Sequence, residues 1–432
     1  MKSNIKVVTE GFRAIGHAAI QISGITVVAG ENSSGKSTIS KLLYELFNTV
    51  ANYEVLVKEE LIREFNDLYF FFVATYYDKA NNTKNSEIIE RKKYDKIKEL
   101  YSETYKDLSL EEIENALVTF LDDLYTNTNI YSDRYVNYIS SVLGKKIDIK
   151  DSLQELKSFI KDRIKKADDK IHKRPTSLFT EKLLERFNQK LPSTLEVSEE
   201  GGVIVALDEP SVSISFLVQK AIYIDTPMSL SAYDYNGYWL ELEKLLKRKI
   251  KGTHYSQEMS FQISENIKGE SEYSDDSLSY TFSFKRKDGA VFDLNEVATG
   301  IKAFSIIQLL LKNGHIDNRT LLIIDEPESH LHPQWIVEYA HMIVLLHKHI
   351  GVKFFLASHN PDMVSTIRYI AEKEEVLDNV NYYLAEKAEG ETYLYNYTPL
   401  GSDISPIFKS FNIAIDRISQ YSVDSDNEDD NL

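Results

Sequence analysis

One stretch of this chain concentrates the residue types that handle phosphate: Gly30-Glu31-Asn32-Ser33-Ser34-Gly35-Lys36-Ser37-Thr38. In that spacing glycine-permitted turns aim backbone N–H groups at phosphates, Lys36 reaches the β- and γ-phosphates, and the Ser37 hydroxyl ligates Mg²⁺. All nine residues are therefore nucleotide-binding candidates. A second cluster is Asp325-Glu326, which ends the apolar run Leu321-Leu322-Ile323-Ile324. An aspartate there can hold the Mg²⁺ shell, and the adjacent glutamate can polarise an attacking water. A third is Ala357-Ser358-His359-Asn360, whose histidine can hydrogen-bond a γ-phosphate or the water that attacks it. The expected assignment is Glu326, His359 and Lys36 as catalytic groups, with Ser37 and Asp325 at the metal.

These side chains need a scaffold that brings distant segments together. Residues 22–29 carry a β-branched strand signal before the glycine loop, and Ile39, Leu42, Leu43, Leu46 and Phe47 follow at helical spacing. Strand, loop and helix N-terminus together make an anion site. Leu321 to Ile324 and Val352 to Ala357 are continuous apolar runs, as expected of parallel strands buried on both faces. Further strands are expected at 203–207, 212–216, 221–224, 279–286 and 290–294, the last two joined by a hairpin at Lys287-Asp288-Gly289. Between about 51 and 195 glycine nearly vanishes, and apolar residues recur at helical intervals, as in Leu110, Ile113, Leu117, Phe120, Leu121 and Leu124. The expected organisation is an N-terminal part over 1–50, a helical insertion over 51–195, a C-terminal part over 196–415, and a disordered acidic tail over 416–432.

Composition narrows the function classes. The formal net charge is −17 and there is no cysteine. Disulfides and thiolate metal sites are thereby excluded, and a reducing cytoplasm is the expected location. The charge argues against coating nucleic acid through the whole surface, although Arg91 to Lys98, Lys161 to Arg174 and Lys244 to Lys251 are local basic runs. Each is interleaved with acids or apolar residues, as solvated helix faces are. The aromatic run Leu68 to Tyr77 is too short to span a bilayer, and no membrane association is expected.

Taken with its neighbours, the run Asp325-Glu326-Pro327-Glu328-Ser329-His330-Leu331-His332-Pro333 resembles the D-E-P-E-x-x-L-H-P of ABC-type ATPase heads. The group includes RecF proteins, structural-maintenance-of-chromosomes (SMC) proteins and OLD-like phage-defence ATPases, often filed under the AAA label. The resemblance covers residues 1 to about 50 and about 200 to 400. It implies an α/β head, with a mixed central sheet and an antiparallel β subdomain, carrying a large helical insertion. It also implies ATP and Mg²⁺ as cofactors, and a head-to-head homodimer sandwiching two nucleotides. The family's signature loop would fall on Ala298-Thr299-Gly300, so that Thr299 and Gly300 of one copy reach the nucleotide of the other; this is shorter than the family's own signature. A Mg²⁺-sensing glutamine is expected, with Gln154, Gln189 and Gln219 available, and Ser329 to His332 stand where the family makes dimer contacts. The implied function is a nucleotide-driven switch governing a separate effector, a nuclease or toxin, in anti-phage defence. A RecF-like or SMC-like DNA-binding ATPase is the alternative. A one-chain nuclease is disfavoured, since the only D-x-D after His359 is Asp424-Ser425-Asp426 in the tail.

Overall fold

The computed structural model describes residues 4–80, 103–127, 133–148, 150–225, 237–250, 254–274, 281–401 and 403–409. The basic run Arg91 to Lys98 and the acidic tail lie outside them. The chain divides into two units, Met1–Ala51 with Thr176–Leu432, and Asn52–Pro175.

In the first unit, strands β1 (Ile5–Phe12) and β2 (Ile15–Ile22) form an antiparallel hairpin, and β3 (Ile25–Gly30) runs into helix α1 (Lys36–Ala51). β4 (Thr194–Glu199), β5 (Gly202–Ala206), β6 (Lys220–Ile224), β10 (Thr320–Asp325), β11 (Lys353–Ser358), β12 (Val380–Lys387) and β13 (Tyr395–Pro399) complete a ten-stranded sheet of order β5-β4-β1-β2-β13-β12-β3-β11-β10-β6. The run β12-β3-β11-β10-β6 is parallel, and the β5-β4-β1-β2 end is antiparallel. β3, β10 and β11 are buried at every position, which is why their sequences lack polar alternation. Alternate residues serve two cores. Leu322 and Ile324 pack with α9 (Thr299–Lys312), α10 (Pro333–Ile350) and α11 (Pro361–Lys373). Leu321 and Ile323 pack on the opposite face with α1 and α6 (Thr176–Arg186). A separate antiparallel sheet, β7 (Gly269–Ser274), β8 (Thr281–Arg286) and β9 (Val291–Asp293), accompanies α7 (Tyr238–Lys247) and α8 (His254–Ile267). The expected mixed sheet, antiparallel subdomain and loop-helix junction are all present.

Two expectations change. Residues 212–216 do not form a strand. The Glu199 carboxylate accepts from the Ser215 hydroxyl at 2.7 Å and from the backbone N–H groups of Phe216 (2.9 Å) and Leu217 (3.2 Å), so a side chain satisfies donors that a ladder would otherwise use. The helical unit also closes at Pro175, short of residue 195, because Phe179 and Leu183 of α6 belong to the core around α1.

The second unit comprises α2 (Tyr53–Ala80), a 3₁₀ turn (Glu103–Asp107), α3 (Leu110–Asn127), α4 (Asp133–Leu143) and α5 (Ser152–Lys173). Ile113, Leu117, Leu121 and Leu124 of α3 are buried, as are Leu156, Ile160, Ile164 and Ala167 of α5. The expected helical periodicity is therefore the packing face in both helices. On α5, Arg163 pairs with Glu64, Lys166 with Asp162, Lys170 with Glu60 and Lys173 with Asp169. No described helix is long and apolar enough to cross a membrane.

Candidate phosphate-binding and catalytic site

The parallel strands deliver the three sequence clusters to one edge of the sheet. β11 lies between β3 and β10, with Ser358 beside Ala29 and Ala357 beside Asp325. The glycine loop, the acidic strand end and the histidine turn thus leave three neighbouring strands at the same end.

Two glycines shape the loop. A Cβ on Gly30 would sit 2.9 Å from the Ala385 Cβ. Gly35 has φ +90°, and a Cβ there would approach Ile15 Cγ1 and Tyr397 Oη at 3.1 Å. Tyr397 Oη donates to the Ser34 carbonyl at 3.1 Å and fixes the loop from beneath. Ser33 also takes a left-handed backbone, φ 68°. Lys36 opens α1 and folds its side chain back, its Nζ donating to the carbonyls of Gly30 (2.8 Å) and Glu31 (2.7 Å). Burial lowers the Lys36 pKa, while Asp325, Glu326, Glu328 and Glu31 act to raise it. The Ser34 hydroxyl is fully buried and has no hydrogen-bond partner among the described residues. A buried ammonium beside a helix N-terminus, and a free buried hydroxyl in the same loop, are chemically suited to receive phosphate oxygens. Asn32 and Glu31 are exposed, and Thr38, the third residue of α1, is half-buried.

Asp325 ends β10 and is 4% exposed. The Ser37 side chain hydrogen-bonds it, and Tyr223 Oη donates to its Oδ2 at 3.3 Å. Burial pushes the Asp325 pKa up to about 6; Asp225 and Glu326 add to the rise, while the Ser37 hydrogen bond and Lys41 oppose it. A hydroxyl and a carboxylate joined at the mouth of the loop form the hard oxygen donor set that suits Mg²⁺.

Glu326 turns the chain through φ 50°, a strained conformation for glutamate, and its N–H donates to Ala357 O at 2.8 Å. His359 Nδ1 lies 3.4 Å from Oε1 of Glu326 and 3.4 Å from Oε1 of Glu328. The histidine and Glu326 side chains keep 42% and 36% of their surface exposed, so both can meet a substrate and its water.

Lys36, Ser37, Asp325, Glu326 and His359 are thus brought together. Thr299 and Gly300 are not grouped with them. They open α9 after Ala298, and a Cβ on Gly300 would face Trp335 and Leu331. No described contact joins Gln219 or Gln189 to the acidic strand end. Gln219 precedes β6 and exchanges hydrogen bonds with Arg319 at the opposite end of the sheet, Gln189 follows α6, and Gln154 lies in the helical unit. The residue beside Asp325 is instead Asp225, because Ile224 and Ile324 are register partners. Lys41 lies 3.7 Å from it. The sequence held a signal for this: Ile222-Tyr223-Ile224-Asp225 repeats the apolar-run-then-aspartate form of Leu322-Ile323-Ile324-Asp325. His332 caps α10, its Nδ1 accepting from Gln334 N at 3.4 Å, and no metal-holding cluster of histidines and acids occurs among the described residues.

A family model described as AAA ATPase domain matches residues 1–364. Among solved structures, the SMC head domain from Thermotoga maritima aligns at 10% identity and TM-score 0.35, covering 93% of this chain and 99% of that one. A Smc head with an extended coiled coil bound to the C-terminal domain of ScpA, derived from Pyrococcus furiosus, aligns at 10% identity and TM-score 0.34, covering 95% and 98%. A Smc head with a coiled coil and joint from Pyrococcus yayanosii aligns at 9% identity and TM-score 0.35, covering 95% and 99%. At scores this low, the fold rests on the chain's own strand order. A comparison with curated proteins finds no match.

Proposed function

The chain belongs to the AAA ATPase domain family, and from that premise we propose that it binds ATP with Mg²⁺, hydrolyses it, and works as a nucleotide-driven switch between two head-to-head copies. The observation that carries this is the buried Lys36 ammonium, parked on two loop carbonyls and adjoining the Ser37–Asp325 pair.

Bound ATP would place its β- and γ-phosphates on the N–H groups of residues 30–38, and Lys36 would exchange its carbonyl partners for phosphate oxygens. Ser37 and Asp325 would hold Mg²⁺, whose contribution is to neutralise phosphate charge. Glu326 orients the attacking water and accepts its proton, and His359 stabilises charge on the γ-phosphate. Phosphoryl transfer asks little covalent work of the protein, so positioning by three adjacent strand ends suffices.

Two observations support completion by a second copy. Glu326 and His359 remain part-exposed, and the Thr299–Gly300 helix start packs beside Leu331 and Trp335 of its own chain. A partner's α9 N-terminus would bring its dipole to the γ-phosphate. Turnover per chain should then rise with protein concentration before levelling; turnover per chain that stays constant on dilution to the nanomolar range would refute the paired site. The effector read from the resemblance, a nuclease or toxin in phage defence, would respond to opening and closing of that pair. The DNA-binding alternative draws less support, since four cations of the α5 run already face carboxylates.

A further inference from the structure

Two residues past Glu326, Glu328 is 5% exposed, a place carboxylates seldom occupy without a cation. Its Oε1 accepts from the Ser358 hydroxyl and from the His359 backbone N–H, both at 2.9 Å. Its Oε2 is buried with no hydrogen-bond partner among the described residues. Bracing the turn does not by itself call for a carboxylate. A glutamine oxygen would accept the same two bonds, and a neutral amide costs less to bury than a charge.

Burial pushes the Glu328 pKa up, and the hydrogen bonds from the His359 N–H and the Ser358 hydroxyl pull it back. Two basic groups stand near it, Lys36 and the His359 imidazole, whose Nδ1 is 3.4 Å from Oε1. Glu326 Oε1 lies at the same distance from the same nitrogen. Nδ1 makes no hydrogen bond among the described residues, and the two carboxylate oxygens 3.4 Å from it are acceptors. Closing either contact favours the ring form that carries its proton on Nδ1, which leaves Nε2 for whatever His359 meets in the site. The turn at Glu326 and Pro327 is what lets residues 326 and 328 flank one imidazole.

We propose that Glu328 is a positioning residue for His359, bracing the turn after β11 and holding the proton on Nδ1 so that Nε2 faces the substrate. The role in turnover rests on the ATPase reading above, whereas the tautomer does not.

The test uses the full chain labelled with ¹⁵N-histidine and no nucleotide, with His359 assigned by its loss in His359→Gln. Long-range ¹H–¹⁵N spectra of the neutral ring should show the Nδ1–H form in the wild type and a mixture of both forms in Glu328→Gln and Glu328→Ala. An unchanged tautomer in both variants overturns the proposal. In turnover, Glu328→Gln should lower kcat by about ten- to a hundredfold with nucleotide Kd within about twofold, and that loss should vanish in a His359→Gln background. Equal loss in both backgrounds overturns a role through His359. A wild type that hydrolyses no ATP would sink the ATPase reading, and the spectra alone would then decide the tautomer.

Discussion

At the level of single residues, the site combines groups that are costly to keep where they are. Gly35 is the clearest case, because its φ of +90° and its 3.1 Å approach to Ile15 and Tyr397 leave no room for a side chain. Gly35→Ala should destabilise the chain by about 1–3 kcal/mol in chemical denaturation and weaken nucleotide binding, since the loop must shift to accept the methyl group. A variant as stable as the wild type would mean the loop relaxes freely. Lys36→Ala should lose nucleotide affinity by more than about tenfold, read by titration with a fluorescent ATP analogue, because the ammonium is the buried cation of the loop. The sequence motif disclosed Lys36, Ser37, Asp325 and Glu326 because their spacing is local or strand-terminal. It did not disclose the hydrogen bonds of Glu328, whose partners Ser358 and His359 lie at and just past the end of β11, nor Asp225, whose proximity depends on β6 pairing with β10. Contacts across strands follow from strand order, and local patterns do not encode it.

Among the elements, α1 and α6 are tied by a buried ion pair. Arg186 Nε donates to Glu45 Oε1 at 2.7 Å, and the Glu45 side chain is 7% exposed. Removing the guanidinium leaves a buried carboxylate, so Arg186→Met should cost about 2–4 kcal/mol, and adding Glu45→Gln should recover most of it. Failure of the second change to rescue would show that Arg186 acts through its packing on Tyr238 instead. The α10–β11 connection carries a pH dependence. His347 donates from Nδ1 to Val352 O at 2.9 Å, and burial lowers its pKa, as it does for His315. The folded state therefore binds fewer protons than the unfolded chain once pH falls below the ordinary histidine value of about 6.5. Stability should be retained above that pH and decline below it, and His347→Asn should flatten the decline in melts between about pH 7 and 5. Elements with strong helical periodicity, such as α3 and α5, and the continuous apolar run of β10 were legible in sequence. The 212–216 segment was not, because Glu199 supplies the hydrogen bonds that a neighbouring strand would have given.

For the whole molecule, the ten-stranded sheet sets the reactive groups along one end of three parallel strands, and the helical unit joins the same chain between α1 and α6. The boundary at Pro175 was blurred in sequence because α6 is as helical as the insertion before it, and only its packing partners distinguish it. The proposed function has ATP held by the loop and cleaved with Glu326 as the group that activates water. The decisive comparison is of ATP binding and Mg²⁺-dependent phosphate release in the full chain and in Glu326→Gln. The wild type should release phosphate, and the variant should bind ATP with similar affinity while turnover falls by about a hundredfold or more. Phosphate release by Glu326→Gln at the wild-type rate, or a wild type that binds no ATP, would contradict it.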